Sequence, residues 1–112
     1  MDKLRDLLRD FAKERDWDQF HSPKNLAMAL VVEAGEIVEH FQWLTEQESK
    51  NLSAKKLGEI REEIGDTLIY LPRLADKLGI DPLEAARDKI EKNAQKYPVE
   101  KSKGKANKYT EL

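Results

Sequence analysis

Cysteine is absent from this chain, which excludes disulfides and thiolate metal sites and fits a reducing compartment. No sign of charge dominates either. Charged residues make up 38% of the chain, yet the formal net charge is only −2, so no global field attracts a nucleic-acid polymer or a membrane surface. Long hydrophobic runs are missing: the longest, Leu26 to Val32, falls far short of the ~20 residues needed to span a bilayer. The opening Met1-Asp2-Lys3-Leu4-Arg5-Asp6 is too charged for a signal peptide. These absences predict a soluble, cytoplasmic protein. With 112 residues, it is expected to form one domain around a modest core.

What is present is helical periodicity. Leu4, Leu7, Leu8, Phe11 and Ala12 recur among charges, predicting a first helix from about Asp2 to Arg15. Trp17 to His21 reads as a connector, and Ser22-Pro23 as a helix start with serine as N-cap. The second helix is expected to reach about Leu44, with Leu26, Leu30, Glu33, Ile37, Phe41 and Leu44 as its core stripe. After the polar stretch from Thr45, Ser53 caps a third helix from about Ala54 to Leu78, ended by Gly79. Its expected core stripe is Leu57, Ile60, Ile64, Leu68, Leu71, Ala75 and Leu78, flanked by Glu59, Glu63, Asp66 and Tyr70. Asp81-Pro82-Leu83-Glu84 opens a fourth helix, with Asp81 as cap and Glu84 reaching back. Tyr97-Pro98 closes it, and residues 99–112 form a Lys-rich tail expected to be irregular, with Tyr109 and Leu112 able to dock. Nothing reads as a strand. The class is all-α, a four-helix bundle with two long central antiparallel helices over residues 1–98.

Two short words inside the long helices nearly repeat. Glu33-Ala34-Gly35-Glu36 and Glu63-Ile64-Gly65-Asp66 each place two carboxylates on one helical face. The pairs are equidistant from a midpoint in the polar stretch, so an antiparallel hairpin brings them to the same height. Four acids meeting there repel and lose hydration, and a divalent cation offsets both costs. Solvated, salt-bridged acids are the commoner fate of such residues, but Glu33 interrupts an apolar stripe where an unpaired carboxylate is costly. Gly35 and Gly65 sit mid-helix, each costing about 1 kcal/mol relative to alanine. Close packing of the two helices is the expected reason, compatible with the acids sharing an ion. Pro72 interrupts the third helix and is expected to kink it. His40 lies off the acidic stripe and reads as a surface residue.

With these words in place, the chain resembles the MazG-like, all-α nucleoside triphosphate pyrophosphohydrolases. Those proteins carry Glu-x-x-Glu and Glu-x-x-Asp on adjacent antiparallel helices. The resemblance covers nearly the whole chain. The stretches Glu14-Arg15-Asp16-Trp17-Asp18-Gln19-Phe20-His21, Phe41-Gln42-Trp43 and Lys108-Tyr109-Thr110-Glu111-Leu112 are similar to the dCTP pyrophosphatase branch in particular. The resemblance implies Glu33, Glu36, Glu63 and Asp66 as Mg²⁺ ligands, with Glu36 or Glu63 as the catalytic base. It implies Trp17 and Trp43 at the base, His21 at the base or a phosphate, and Tyr70 at the sugar or phosphate. Lys89, Asn93, Lys96 and Lys108 match positions that hold phosphates. The implied reaction is Mg²⁺-dependent hydrolysis of a nucleoside triphosphate, dCTP or a modified dCTP, to monophosphate and pyrophosphate. The implied assembly is a homo-oligomer, a tetramer ahead of a dimer.

Three departures bear on base preference and shape. Val32 precedes Glu33 where the broader family often doubles the glutamate. Pro72 stands where relatives carry an aliphatic residue, and Leu8 where some dCTP-specific relatives have a polar group. A broader-specificity pyrophosphohydrolase and a non-catalytic helical interaction module are the competing readings. A di-iron carboxylate bundle needs Glu-x-x-His words, and neither acidic word supplies a histidine there.

Overall fold

Helix boundaries fall where the capping residues stand. The computed structural model describes residues 1–112, which form helices and turns without strands. Helix α1 spans Asp2–Glu14. It ends as Asp16 turns left-handed at φ 54° and the Trp17 N–H reaches back to the Ala12 carbonyl at 2.9 Å; aspartate tolerates that conformation better than most residues. A 3-10 turn at Asp18–Phe20 carries the connector. The Ser22 hydroxyl accepts the Asn25 N–H at 3.2 Å and starts α2, Pro23–Phe41. Between the long helices lies α3, Glu46–Ser49, an unforeseen single turn. It is held by a reciprocal cap in which Thr45 and Glu48 exchange side-chain bonds to backbone.

Ser53 accepts the Lys56 N–H at 3.1 Å and starts α4, Ala54–Lys77. Gly79 at φ 68° closes α4 with an Ile80 N–H bond to the Ala75 carbonyl, a conformation that suits glycine. Helix α4 continues through Pro72, which is buried.

The chain packs as two compact units, Met1–Ile80 and Asp81–Leu112. In the first, α2 and α4 pair along their length while α1 packs on α4. The pairing is antiparallel, since His40 near the end of α2 meets Glu59 near the start of α4. Arg9 of α1 grips Asp76 of α4 through Nε and one terminal nitrogen, each donating to one carboxylate oxygen, a bidentate arrangement that fixes orientation as well as distance. The core comprises Ala12, Leu26, Ile60 and Ala75, and Arg73 is the single buried charged side chain.

The expected stripe of α2 faces inward, but that of α4 is largely turned out. Ile60 and Ala75 are buried, whereas Leu57, Ile64, Leu68, Leu71 and Leu78 are exposed. The face that meets the partner helices carries Glu63, Asp66, Thr67, Tyr70, Arg73 and Leu74. The polar flank therefore packs inside the hairpin, and most of the apolar stripe is left without a partner in the chain. Close packing at the two glycines is also overturned: a Cβ at Gly35 or Gly65 meets no atom within 4 Å.

In the second unit α5 spans Pro82–Lys96. Asp81 alone caps it, accepting the Leu83 and Glu84 N–H groups; the expected return bond from Glu84 does not form. The tail is less irregular than expected, with α6 at Val99–Ser102 and a 3-10 turn at Tyr109–Glu111. Tyr109 docks as expected, its ring 6.0 Å edge-on from Tyr97 with the Lys96 ammonium 5.0 Å from its centre. No helix is long and apolar enough to cross a membrane.

Candidate functional site

Antiparallel pairing brings the two acidic words together. One oxygen from each of Glu33, Glu36, Glu63 and Asp66 can be chosen so that all four lie within 4.8 Å of one another. All four side chains are half-buried. One carboxylate oxygen of Glu33 and one of Glu63 are buried without any hydrogen-bond partner. Buried acceptors are normally satisfied, so such orphaned oxygens need an explanation.

The crowding has an electrostatic signature. Glu63 is pushed up to about 7, first because its protonated form shares a hydrogen bond with the Glu36 carboxyl. Lost hydration and the charges of Glu36, Asp66 and Glu33 add to the effect. Glu33 is raised as well, chiefly by loss of hydration, then by a hydrogen bond and charge from Glu36 and the charge of Asp66. The quartet thus holds protons where ordinary carboxylates hold none. A donor set made of carboxylate oxygens suits a hard divalent cation, and the two orphaned oxygens fit one as well.

His40 is not the surface residue it was expected to be. Its side chain is only 17% exposed, with Nε2 3.9 Å from Glu63 and Nδ1 3.9 Å from Glu59. The hairpin register explains the miss: the turn of α2 that carries Glu36 also carries His40, and antiparallel pairing sets it opposite Glu59 and Glu63. Arg73, likewise unforeseen, continues the inward face of α4 beyond Tyr70. Its guanidinium donates to Asp18 at 2.8 Å and meets His21 Nδ1 at 3.3 Å.

The other expected site residues lie on several elements. Trp17 stands at the end of α1, with its ring 5.7 Å from Phe11 in an edge arrangement. Trp43 lies in the turn after α2 and is 87% exposed, so nothing in the chain holds its ring. Tyr70 is half-buried on α4, one turn from Asp66. Lys89, Asn93 and Lys96 are exposed on α5, and Lys108 is exposed before the last turn. A shallow cavity of about 380 Å³ opens elsewhere, at the tip of the hairpin between Leu44, Gln47, Asn51, Leu52 and Lys56.

Comparison with known proteins bears out the family resemblance and the all-α fold. The MazG-like family model matches residues 28–112. Mouse dCTP pyrophosphatase 1 is 44% identical over 114 aligned positions, covering 100% of this chain and 67% of the relative. The human protein of the same name is 41% identical with the same coverage. Among solved structures, a pyrophosphatase from Archaeoglobus fulgidus superposes with a TM-score of 0.83 at 44% identity. That match covers 88% of this chain and 92% of the archaeal one.

Proposed function

We propose a function that proceeds from kinship: this chain belongs to the MazG-like family. It is a nucleoside triphosphate pyrophosphohydrolase by its relatives, acting on a dCTP-like substrate. The finer reading is hydrolysis of dCTP or a modified dCTP to monophosphate and pyrophosphate, with Mg²⁺ as cofactor, as cytoplasmic housekeeping of the nucleotide pool. The observation that carries it is the gathered quartet with its two orphaned carboxylate oxygens.

Glu33, Glu36, Glu63 and Asp66 would hold the ion, which would supply there positive charge against the phosphate oxygens and Lewis acidity toward water. The chain's own residues do the rest. Glu36 or Glu63 accepts the proton of the water that attacks the α-phosphorus. Trp17 and Trp43 offer flat rings for a base to stack on, His21 a hydrogen bond, and Tyr70 a hydroxyl for sugar or phosphate. Lys89, Asn93, Lys96 and Lys108 bind phosphate oxygens.

Assembly belongs to the same reading. The unpartnered apolar residues of α4, joined by Met28, Val31 and Val38 on α2, support a homo-oligomer, and the resemblance to the dCTP pyrophosphatase branch favours a tetramer over a dimer. The test is a panel of nucleoside triphosphates with Mg²⁺, assayed for pyrophosphate. Release from dCTP ahead of the purine triphosphates is expected. Release of inorganic phosphate excludes attack at the α position, and equal rates on ATP and dCTP remove the cytosine preference.

A further inference from the structure

Arg73 is the one charged side chain this fold buries, at 4% exposure. A guanidinium in such a place is costly unless it is paired, so its partners indicate its role. They converge on the connector. One terminal nitrogen donates to Asp18 at 2.8 Å and lies 3.3 Å from His21 Nδ1, and the other lies 3.6 Å from Asp76. Lys77 donates to the same Asp18 oxygen at 2.6 Å. The 3-10 turn that carries Asp18, with Trp17 and His21 at its two ends, is thereby tied to α4 from one side. Arg73 also continues the inward face that carries Glu63, Asp66 and Tyr70, so the connector's anchor and two of the four acids are built on one helix.

The chemistry at His21 is directional. A guanidinium N–H can only donate, so His21 Nδ1 must accept and the ring's single proton sits on Nε2. A protonated ring would set a second positive charge beside Arg73; burial first and that neighbouring charge next hold His21 below the usual imidazole range. We propose that Arg73 is a positioning residue, which anchors the connector through Asp18 and holds His21 as the neutral tautomer with its proton on Nε2. His21 is then an uncharged donor, suited to a neutral carbonyl acceptor on a nucleobase rather than to phosphate. This assignment rests on the nucleotide-hydrolase reading for its use, though not for its geometry.

Two readouts test it. In the His40→Gln variant, His21 is the sole imidazole, and long-range proton–nitrogen spectra near neutral pH report its protonation directly. A neutral ring protonated on Nε2 is expected. An imidazolium, or a ring protonated on Nδ1, overturns the proposal. Arg73→Met, which removes the donor, is expected to scramble that pattern and raise KM for dCTP about tenfold while kcat changes by less than about twofold. Arg73→Lys, which keeps a donor, is expected to retain the Nε2 proton. If Arg73→Met does not fold, the parent spectrum and the lysine variant decide; an unaltered ring pattern and KM in a folded Arg73→Met also overturn the proposal. Failure of every variant and the parent to hydrolyse any triphosphate contradicts the function above instead, and the ring spectra still report the tautomer.

Discussion

At the scale of single residues, the acidic quartet combines repulsion with lost hydration, and substitutions should separate the two. Glu33→Gln and Asp66→Asn each remove a charge while keeping shape, so both are expected to abolish hydrolysis and leave the helical fold intact. Near-normal turnover of either variant at saturating Mg²⁺ would show that the ligand set is misassigned. The raised carboxyls also set a pH dependence. Because the folded state holds protons on Glu63 and Glu33 more tightly than an unfolded chain does, their contribution to stability is complete below the ordinary value of 4.5 and is lost as pH rises, for Glu63 through about 7. Asp18 and Asp76 are shifted the other way by their arginine and lysine partners. Their stabilisation fades only as pH falls below the ordinary aspartate value, outside that window. His21, held below the usual imidazole range, works the other way inside the window, so the quartet is read by difference: between pH 5.5 and pH 8 metal-free parent protein should lose more melting temperature than Glu63→Gln. Thermal melts of both in chelator check this, and identical pH profiles would contradict the crowding.

Trp43 offers a cleaner separation of binding from folding. Its ring is held by nothing in the chain, so Trp43→Ala is expected to leave single-chain stability within about 0.5 kcal/mol. Nucleotide binding is expected to weaken by about 1–3 kcal/mol if a base stacks there. Calorimetric titration with a non-hydrolysable dCTP analogue measures the second effect. The quartet itself was legible in the sequence, because Glu33 stands where the apolar stripe of α2 calls for an aliphatic residue. Arg73 was not, because its pairing with Asp18 and His21 joins distant positions that no local spacing encodes. His40 stands one turn beyond Glu36 on the same face of α2, and that spacing was the signal for its place opposite Glu59 and Glu63.

At the scale of elements, the caps were readable. Ser22, Ser53 and Asp81 each accept the backbone amides that helix starts leave free. The inward face of α4 was not readable. Periodicity identifies an apolar stripe but not what covers it, and here Leu57, Ile64, Leu68, Leu71 and Leu78 are exposed while the acidic face packs against α2. The glycines of the two acidic words give a discriminating variant. A methyl at Gly35 or Gly65 meets nothing in the chain. In an isolated chain Gly35→Ala should then stabilise α2 by about 1 kcal/mol. In an assembled protein the same methyl is expected to meet a neighbouring copy and lower the melting temperature. Denaturant melts of Gly35→Ala at high and low protein concentration distinguish the two outcomes.

At the scale of the whole molecule, the apolar surface left on the long helices is the main feature that one chain does not account for. A surface of that kind is stable in water when another copy covers it. Light scattering at low micromolar concentration should report a mass well above the 13.0 kDa chain, a tetramer ahead of a dimer, with activity falling on dilution. A folded, active monomer would contradict the assembly without touching the metal site. That site is the central claim, and calorimetric titration of Mg²⁺ into the protein holding a non-hydrolysable dCTP analogue tests it most directly. Saturable Mg²⁺ binding is expected in the parent protein and its loss in Glu33→Gln; equal binding by both would contradict the claim that Glu33, Glu36, Glu63 and Asp66 hold the ion.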